Sequence, residues 1–195
     1  MKAHPKIILA SASRRREKLL REAGLTFDVV PSRVEEQHGQ TSSCPSLVKH
    51  NALLKANDVA ARLQEGIVIA ADTLVFDGEK NVVGKPRHAR EAAAVLERLC
   101  RLPHWVYTGV AVADVSGGRR IVDYEKTKVF MQPLSAEEIS RYHQKVSPLD
   151  KAGGYNIEEW GGLFIDRIEG CYTNVMGLPM AKLRMMLKQC GVFLL

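Results

Sequence analysis

Apolar residues fall along this chain in short runs that switch between two periods. The apolar run that follows Lys6 predicts a buried first strand over 6–10. Ser11-Ala12-Ser13 ends it, and the next spacing predicts a basic helix over about 14–23, with Ser13 at the N-cap position and Gly24 just beyond the end. A second strand is expected over 27–31 and a polar loop over 32–43. A long helix follows over about 45–64, with Val48, Ala52, Ala56, Val59, Ala60 and Leu63 on one face. Residues 67–71 read as a near-continuous apolar strand, covered on both faces, that runs straight into Asp72-Thr73. Asp77-Gly78 marks a turn and Gly84-Lys85-Pro86 a loop. Then come a helix over 89–102 and two long strands over 104–115 and 119–132, joined at Ser116-Gly117-Gly118. Ser135 and Glu138 form a capping box that opens another helix. Gly153-Gly154 and Gly161-Gly162 bracket a loop before a strand over 163–168, and Pro179 starts a last helix to about 190.

Strands and helices intermix without repeat, linker or boundary. The expectation is one domain over 1–195, of α/β class, with a mixed central sheet flanked by helices. Composition narrows the class further. With 46% hydrophobic and 26% charged residues, disordered and fibrous architectures are excluded. No apolar run approaches the roughly 18 residues of a membrane span, and Ile7-Ile8-Leu9-Ala10 is too short for a signal-peptide core. Cys44, Cys100, Cys171 and Cys190 lack metal spacing and are expected to be reduced, mostly buried thiols. A soluble protein of the cytoplasm fits these features. The 28 Lys and Arg against 22 Asp and Glu leave a net charge of +6, which permits attraction to phosphates without identifying nucleic acid as the partner.

Four segments place chemistry at element ends. Ser11-Ala12-Ser13-Arg14-Arg15-Arg16 combines hydroxyls, helix N-terminal N–H groups and guanidiniums, a phosphate-binding set. Its cations oppose the helix macrodipole; the plainer alternative is that Ser13 caps the helix and the arginines are solvated. Asp72, at the C-terminal end of the buried strand, could ligate a divalent metal or orient an attacking water, or could serve as a turn residue. Lys85 sits between glycine and proline, which can hold its ammonium over an anion. Glu35-Glu36 and Lys55 read equally well as solvated charges. In Asp150-Lys151-Ala152-Gly153-Gly154-Tyr155-Asn156-Ile157-Glu158, small residues permit close backbone approach, while Tyr155 and Glu158 could stack on or hydrogen-bond a base. The six histidines form neither a zinc motif nor a plausible triad.

The order of these motifs is distinctive: Leu9-Ala10-Ser11-Ala12-Ser13 with Arg15-Arg16, Ala71-Asp72-Thr73, Gly84-Lys85-Pro86, Thr108-Gly109-Val110, Asp150-Lys151-Ala152-Gly153 and Asn174-Val175-Met176-Gly177-Leu178-Pro179. Together they resemble the Maf family of nucleoside triphosphate pyrophosphatases, over about 7–187. The resemblance implies two lobes around a cleft, akin to the inosine triphosphatase group. It also implies hydrolysis between the α and β phosphates to a monophosphate and pyrophosphate, with a divalent cation such as Mg²⁺ or Mn²⁺. By matched position, Ser11, Ser13, Arg15, Arg16, Lys55, Thr73, Lys85 and Glu158 would bind substrate. Asp72 would be the catalytic base and, with Glu36, would hold the metal. A homodimer is a further expectation of the resemblance.

Two departures stand out: Arg14 occupies a usual proline position, and Glu158 stands where members of the dTTP/UTP type commonly have glutamine. An amide matches the mixed donor–acceptor edge of thymine or uracil, whereas a carboxylate only accepts and suits guanine's N1–H and N2 amine. Arg15, Thr73, Tyr155 and Ile157 nonetheless resemble the dTTP/UTP type rather than the 7-methylguanosine-triphosphate type. The competing classes are a non-catalytic nucleic-acid-binding regulator, which would group cations without a central acid, and a phosphomonoesterase, which would release orthophosphate.

Overall fold

The computed structural model describes residues 5–37, 43–79 and 81–195. Its strands are β1 (Ile7–Leu9), β2 (Asp28–Val29), β3 (Ile67–Phe76), β4 (Val82–Val83), β5 (His104–Asp114), β6 (Arg120–Met131) and β7 (Ile165–Glu169). Its helices are α1 (Arg14–Glu22), α2 (Cys44–Ala60), α3 (Ala89–Leu99), α4 (Ala136–Lys145), α5 (Tyr172–Val175) and α6 (Met180–Gln189). The described strands form one mixed sheet in the order β2-β1-β3-β5-β6-β7, with β4 also on β3. Pairing of β1 with β2 and β3 is parallel; β3, β5, β6 and β7 run antiparallel to their successive neighbours.

Alternation along β3 and β5 sends side chains to two covered faces. On one face Ala52, Ala56 and Val59 of α2 bury against Ile8, Val68, Ala70, Ala111 and Ala113. The small side chains there let a helix lie close to the sheet. The other face carries two clusters. Leu19 and Leu20 of α1 and Leu183, Met186 and Leu187 of α6 cover Leu9, Ile69, Val110 and Val112. Leu96 and Leu99 of α3 and Ile139 and Tyr142 of α4 cover Val75, Val106 and Val129. Thr73 and Thr108 lie between the clusters, with Thr108 fully buried and their hydroxyls 3.0 Å apart. The last residues finish the first cluster: Val192 is buried and Leu194 packs on it, while Phe193 is exposed.

The expected elements are present, with shifted ends. The second strand shrinks to two residues, the α2 helix stops at Ala60 and the α3 helix at Leu99. Leu163 lies in a 3₁₀ turn (Glu159–Leu163), so the last strand starts at Ile165. Neither β4 nor α5 is expected from periodicity, because two- and four-residue elements carry too few positions to show one. Of the thiols only Cys100 is buried; the other three are half-buried, contrary to a mostly buried set. Part of the polar loop expected over 32–43, residues 38–42, lies outside the described residues. Among the described residues no helix is long and apolar enough to cross a membrane.

Candidate active site

The site arises from a gap along one edge of β3. Strand β1 accompanies β3 only as far as Leu9 beside Ile69, and β4 joins the same edge only at Val75 and Phe76. Between them the β3 edge meets no strand among the described residues. Asp72 is therefore not at the end of its strand: β3 continues to Phe76, paired throughout with β5, and Asp72 lies opposite Gly109 in mid-strand. The apolar run ends at Asp72, but ten ladder pairs with β5 carry the backbone past it. What ends near Asp72 is the parallel neighbour β1, so the carboxylate still lies beyond the carboxyl end of a parallel strand.

On the α2 side, Gly109 sets the approach. A Cβ there would overlap the Val48 carbonyl, so only glycine lets the helix backbone touch the sheet. Asn51 and Lys55, one turn apart on the buried face of α2, then stand over Asp72. Lys55 Nζ donates to Asp72 Oδ1 at 2.8 Å and to the Ala71 carbonyl at 3.3 Å, and pairs with Glu36 Oε1 at 2.7 Å. Asn51 Nδ2 donates to Asp72 Oδ2 at 3.0 Å, so both carboxylate oxygens are held. Asn51 also exchanges two hydrogen bonds with the Gln37 backbone, which fixes the segment carrying Glu36. Lys55 is only 8% exposed, so it is no solvated helical lysine. Asn51 escaped the sequence reading; the signal was a polar pair at 51 and 55 along an otherwise apolar face.

On the opposite side α1 begins three residues after Ser11. Ser13 occupies the N-cap position, but its side chain makes no capping bond, so the capping alternative does not hold. The Ser11 hydroxyl instead accepts from the Ser13 N–H and from Arg16 Nη1, each at 3.2 Å. Arg16 also donates through Nη1 to the Ala71 carbonyl at 2.9 Å, through Nε to the Gly177 carbonyl at 2.8 Å, and through Nη2 to Thr73 Oγ1 at 3.0 Å. The unpaired edge carbonyl of Ala71 is thus satisfied by a cation from each face of the sheet. Four of Arg16's five N–H donors are spent on protein oxygens. Thr108 Oγ1 donates onward to the Asn174 carbonyl at 3.1 Å, which leaves Thr73 donating to Thr108 and accepting from Arg16. Arg15 has no hydrogen-bond partner among the described residues. Burial lowers the pKa of both arginines, opposed at Arg15 by Asp150 and Glu158 and at Arg16 by Asp72.

Ser11, Ser13, Arg15, Arg16, Glu36, Lys55, Asp72, Thr73 and Lys85 all line one cleft of about 1070 Å³. Lys85 is exposed at its rim, and its loop is anchored by the Gly153 N–H donating to the Gly84 carbonyl at 3.1 Å. Glu158 is not among them. It lines an adjoining pocket of about 300 Å³, reached past Arg14 and Arg15, where Lys18 Nζ approaches its Oε1 at 2.6 Å. Tyr155 lines the main cleft but is buried, its hydroxyl 2.8 Å from His104 Nε2, so its ring is no open stacking platform.

The donor set suits a hard divalent cation. Glu36 Oε1, Asp72 Oδ1 and the Ala71 carbonyl converge on one point, at present marked by the Lys55 ammonium. Among the described residues no cluster of three or more His, Cys, Asp or Glu forms a complete cage. Two carboxylates leaving room for phosphate oxygens and water is the pattern Mg²⁺ favours.

The architecture defines the class first. The Ham1 protein of Staphylococcus aureus superposes with a TM-score of 0.51 at 16% identity, covering 94% of this chain and 98% of that one, so the two share a fold. By sequence the chain belongs to the Maf-like protein family, whose profile matches residues 6–190. It is 42% identical over 190 residues to the dTTP/UTP pyrophosphatase of Caldicellulosiruptor bescii, covering 95% of each chain. Its identity to the dTTP/UTP pyrophosphatase of Desulforamulus reducens is 44% over 186 residues, covering 95% of this chain and 97% of that one.

Proposed function

We propose that the chain is a nucleoside triphosphate pyrophosphatase, acting as one domain on dTTP, UTP or related nucleotides and yielding the monophosphate plus pyrophosphate. The observation that carries this reading is Asp72 held at both oxygens by Lys55 and Asn51, across one cleft from the N-terminus of α1. The relatives' names support the substrate class. Asp72 takes the proton of a water whose oxygen bonds to phosphorus as the α–β anhydride breaks, and pyrophosphate leaves. Ser11, Ser13, the open N–H groups of α1, Arg15 and Lys85 bind the phosphates and meet the charge that builds on the leaving group. Arg16 and Thr73 hold the phosphate loop against β3, with one Nη2–H of Arg16 left for substrate. Glu36 and Asp72 hold the divalent cation, which when bound supplies Lewis-acid charge and a lowered water pKa. The four unpaired thiols favour a reducing, cytoplasmic setting.

Glu158 favours a second reading. Its carboxylate offers only acceptors, which match the guanine edge, and it lies beside the cleft within reach of a base seated past Arg15. A panel of dTTP, UTP, dUTP, GTP and 7-methyl-GTP, with pyrophosphate and orthophosphate assayed separately, decides between the two. The expected result is pyrophosphate, released fastest from dTTP and UTP. Preference for 7-methyl-GTP would reverse the base assignment, and orthophosphate as the first product would remove the activity.

A further inference from the structure

Lys55 poses a conflict inside the site. An ammonium has three N–H donors; two are spent, on Asp72 Oδ1 at 2.8 Å and the Ala71 carbonyl at 3.3 Å, and the ammonium is also ion-paired with Glu36 Oε1 at 2.7 Å. As placed, Lys55 directs its charge at protein oxygens rather than at a phosphate. It also stands on the oxygens that a divalent cation would take. An ammonium and a divalent cation repel, and both would take the same point against Glu36 Oε1, Asp72 Oδ1 and the Ala71 carbonyl, so they compete for these ligands. Asp72 need not turn when they exchange, because Asn51 keeps Oδ2 at 3.0 Å. Asn51 likewise keeps the segment of Glu36 in place through Gln37.

We propose that Lys55 is the resident cation of the free protein: its ammonium holds the divalent-cation position between Glu36 and Asp72 and yields it only when a triphosphate offers the amine new acceptors. Lys55 thereby couples the two ligands. Metal alone must displace a paired ammonium into a cleft already rich in Arg15, Arg16 and Lys85, whereas metal with a triphosphate transfers that ammonium to the phosphate oxygens. The binding of each strengthens the other by the same factor.

The inference rests on Glu36 and Asp72 as the cation ligands, and its test is metal binding rather than turnover. Mn²⁺ alone is titrated against the free protein by water-proton relaxation. Lys55→Met, which keeps the stem and removes the charge, is expected to bind Mn²⁺ at least tenfold more tightly than wild type. Lys55→Arg, which keeps the charge, is expected to bind as weakly as wild type, and Glu36→Gln added to Lys55→Met is expected to abolish the gain. Equal Mn²⁺ affinity in wild type and Lys55→Met overturns the proposal. A second measurement needs no variant: α,β-methylene-dTTP is expected to tighten protein-bound Mn²⁺ at least tenfold in wild type, and an unchanged affinity overturns the coupling. Failure of both proteins to take up Mn²⁺, with or without the analogue, overturns the cation site itself. Pyrophosphate release by wild type, measured separately, then shows whether the enzymatic reading survives.

Discussion

Asp72 is the residue on which the chemistry turns, and its environment sets what replacing it should do. Both oxygens are held, by Lys55 and Asn51, and the residue is 6% exposed. Asparagine keeps the shape and can still accept from Lys55, but its amide NH2 then faces the Asn51 donor, and it cannot take a proton from water. Asp72→Asn is expected to lower pyrophosphate release by about 10²–10⁴-fold, the usual contribution of a positioned base. Binding of α,β-methylene-dTTP without metal, followed calorimetrically, is expected to change little. Near-normal release from the purified variant would show that Asp72 is not the base. At this scale the sequence identified side chains by type and order, and nine of the ten it singled out line one cleft. What it did not convey was how their donors are spent. Arg16 and Thr73 looked like substrate contacts, yet most of their hydrogen-bonding capacity holds α1 to β3 and β5. Such partners are 35 or more residues away in sequence and leave no local pattern.

The elements show where a backbone contact governs the site. Helix α2 carries Asn51 and Lys55, and its distance from the sheet is set at Gly109, where any side chain would overlap Val48. Gly109→Ala is expected to push α2 outward and cost about 3 kcal/mol, the upper end for overpacking, because the obstacle is backbone rather than a mobile side chain. Urea unfolding reads the loss, and pyrophosphate release should fall with it as Asn51 and Lys55 withdraw from Asp72. Gly84→Ala is the stability control, since a Cβ there meets nothing within 4 Å. If the two variants unfold at the same urea concentration, α2 is not seated through Gly109. Long, strongly periodic elements were legible in the sequence, as was the Ser135–Glu138 capping box, which forms with both of its reciprocal bonds. The gap in the β3 edge was not. It depends on where β1 and β4 stop pairing, and a run of apolar residues that ends at Asp72 looks like the end of a strand while ladder bonds to β5 continue.

Across the whole molecule, stability should depend on pH through a residue remote from the chemistry. His104, the first residue of β5, is fully buried and faces Tyr155 edge-on, with Nε2 2.8 Å from the phenol oxygen. This pair ties β5 to the glycine-rich segment after α4, inside the cluster that closes one side of the cleft. Burial pulls the imidazole pKa down to about 4, against 6.5 when exposed, with the Leu99 backbone opposing. Above pH 6.5 both folded and unfolded states keep it neutral, and its full contribution to stability is present. Between about 6.5 and 4 the unfolded chain takes up a proton that the folded state refuses, so stability falls with pH, by up to about 3 kcal/mol over that window. His143, half-buried and also lowered by burial, acts with the same sign. The carboxylates held below their ordinary values, such as Asp77 and Asp123, lose their contributions only at still lower pH. The expected result is a thermal midpoint that declines steadily from pH 6.5 to 4.5 in wild type. In His104→Gln, which starts from a lower midpoint, the decline should be much shallower. An equally steep decline in both proteins would mean that other groups govern the acid sensitivity of this fold.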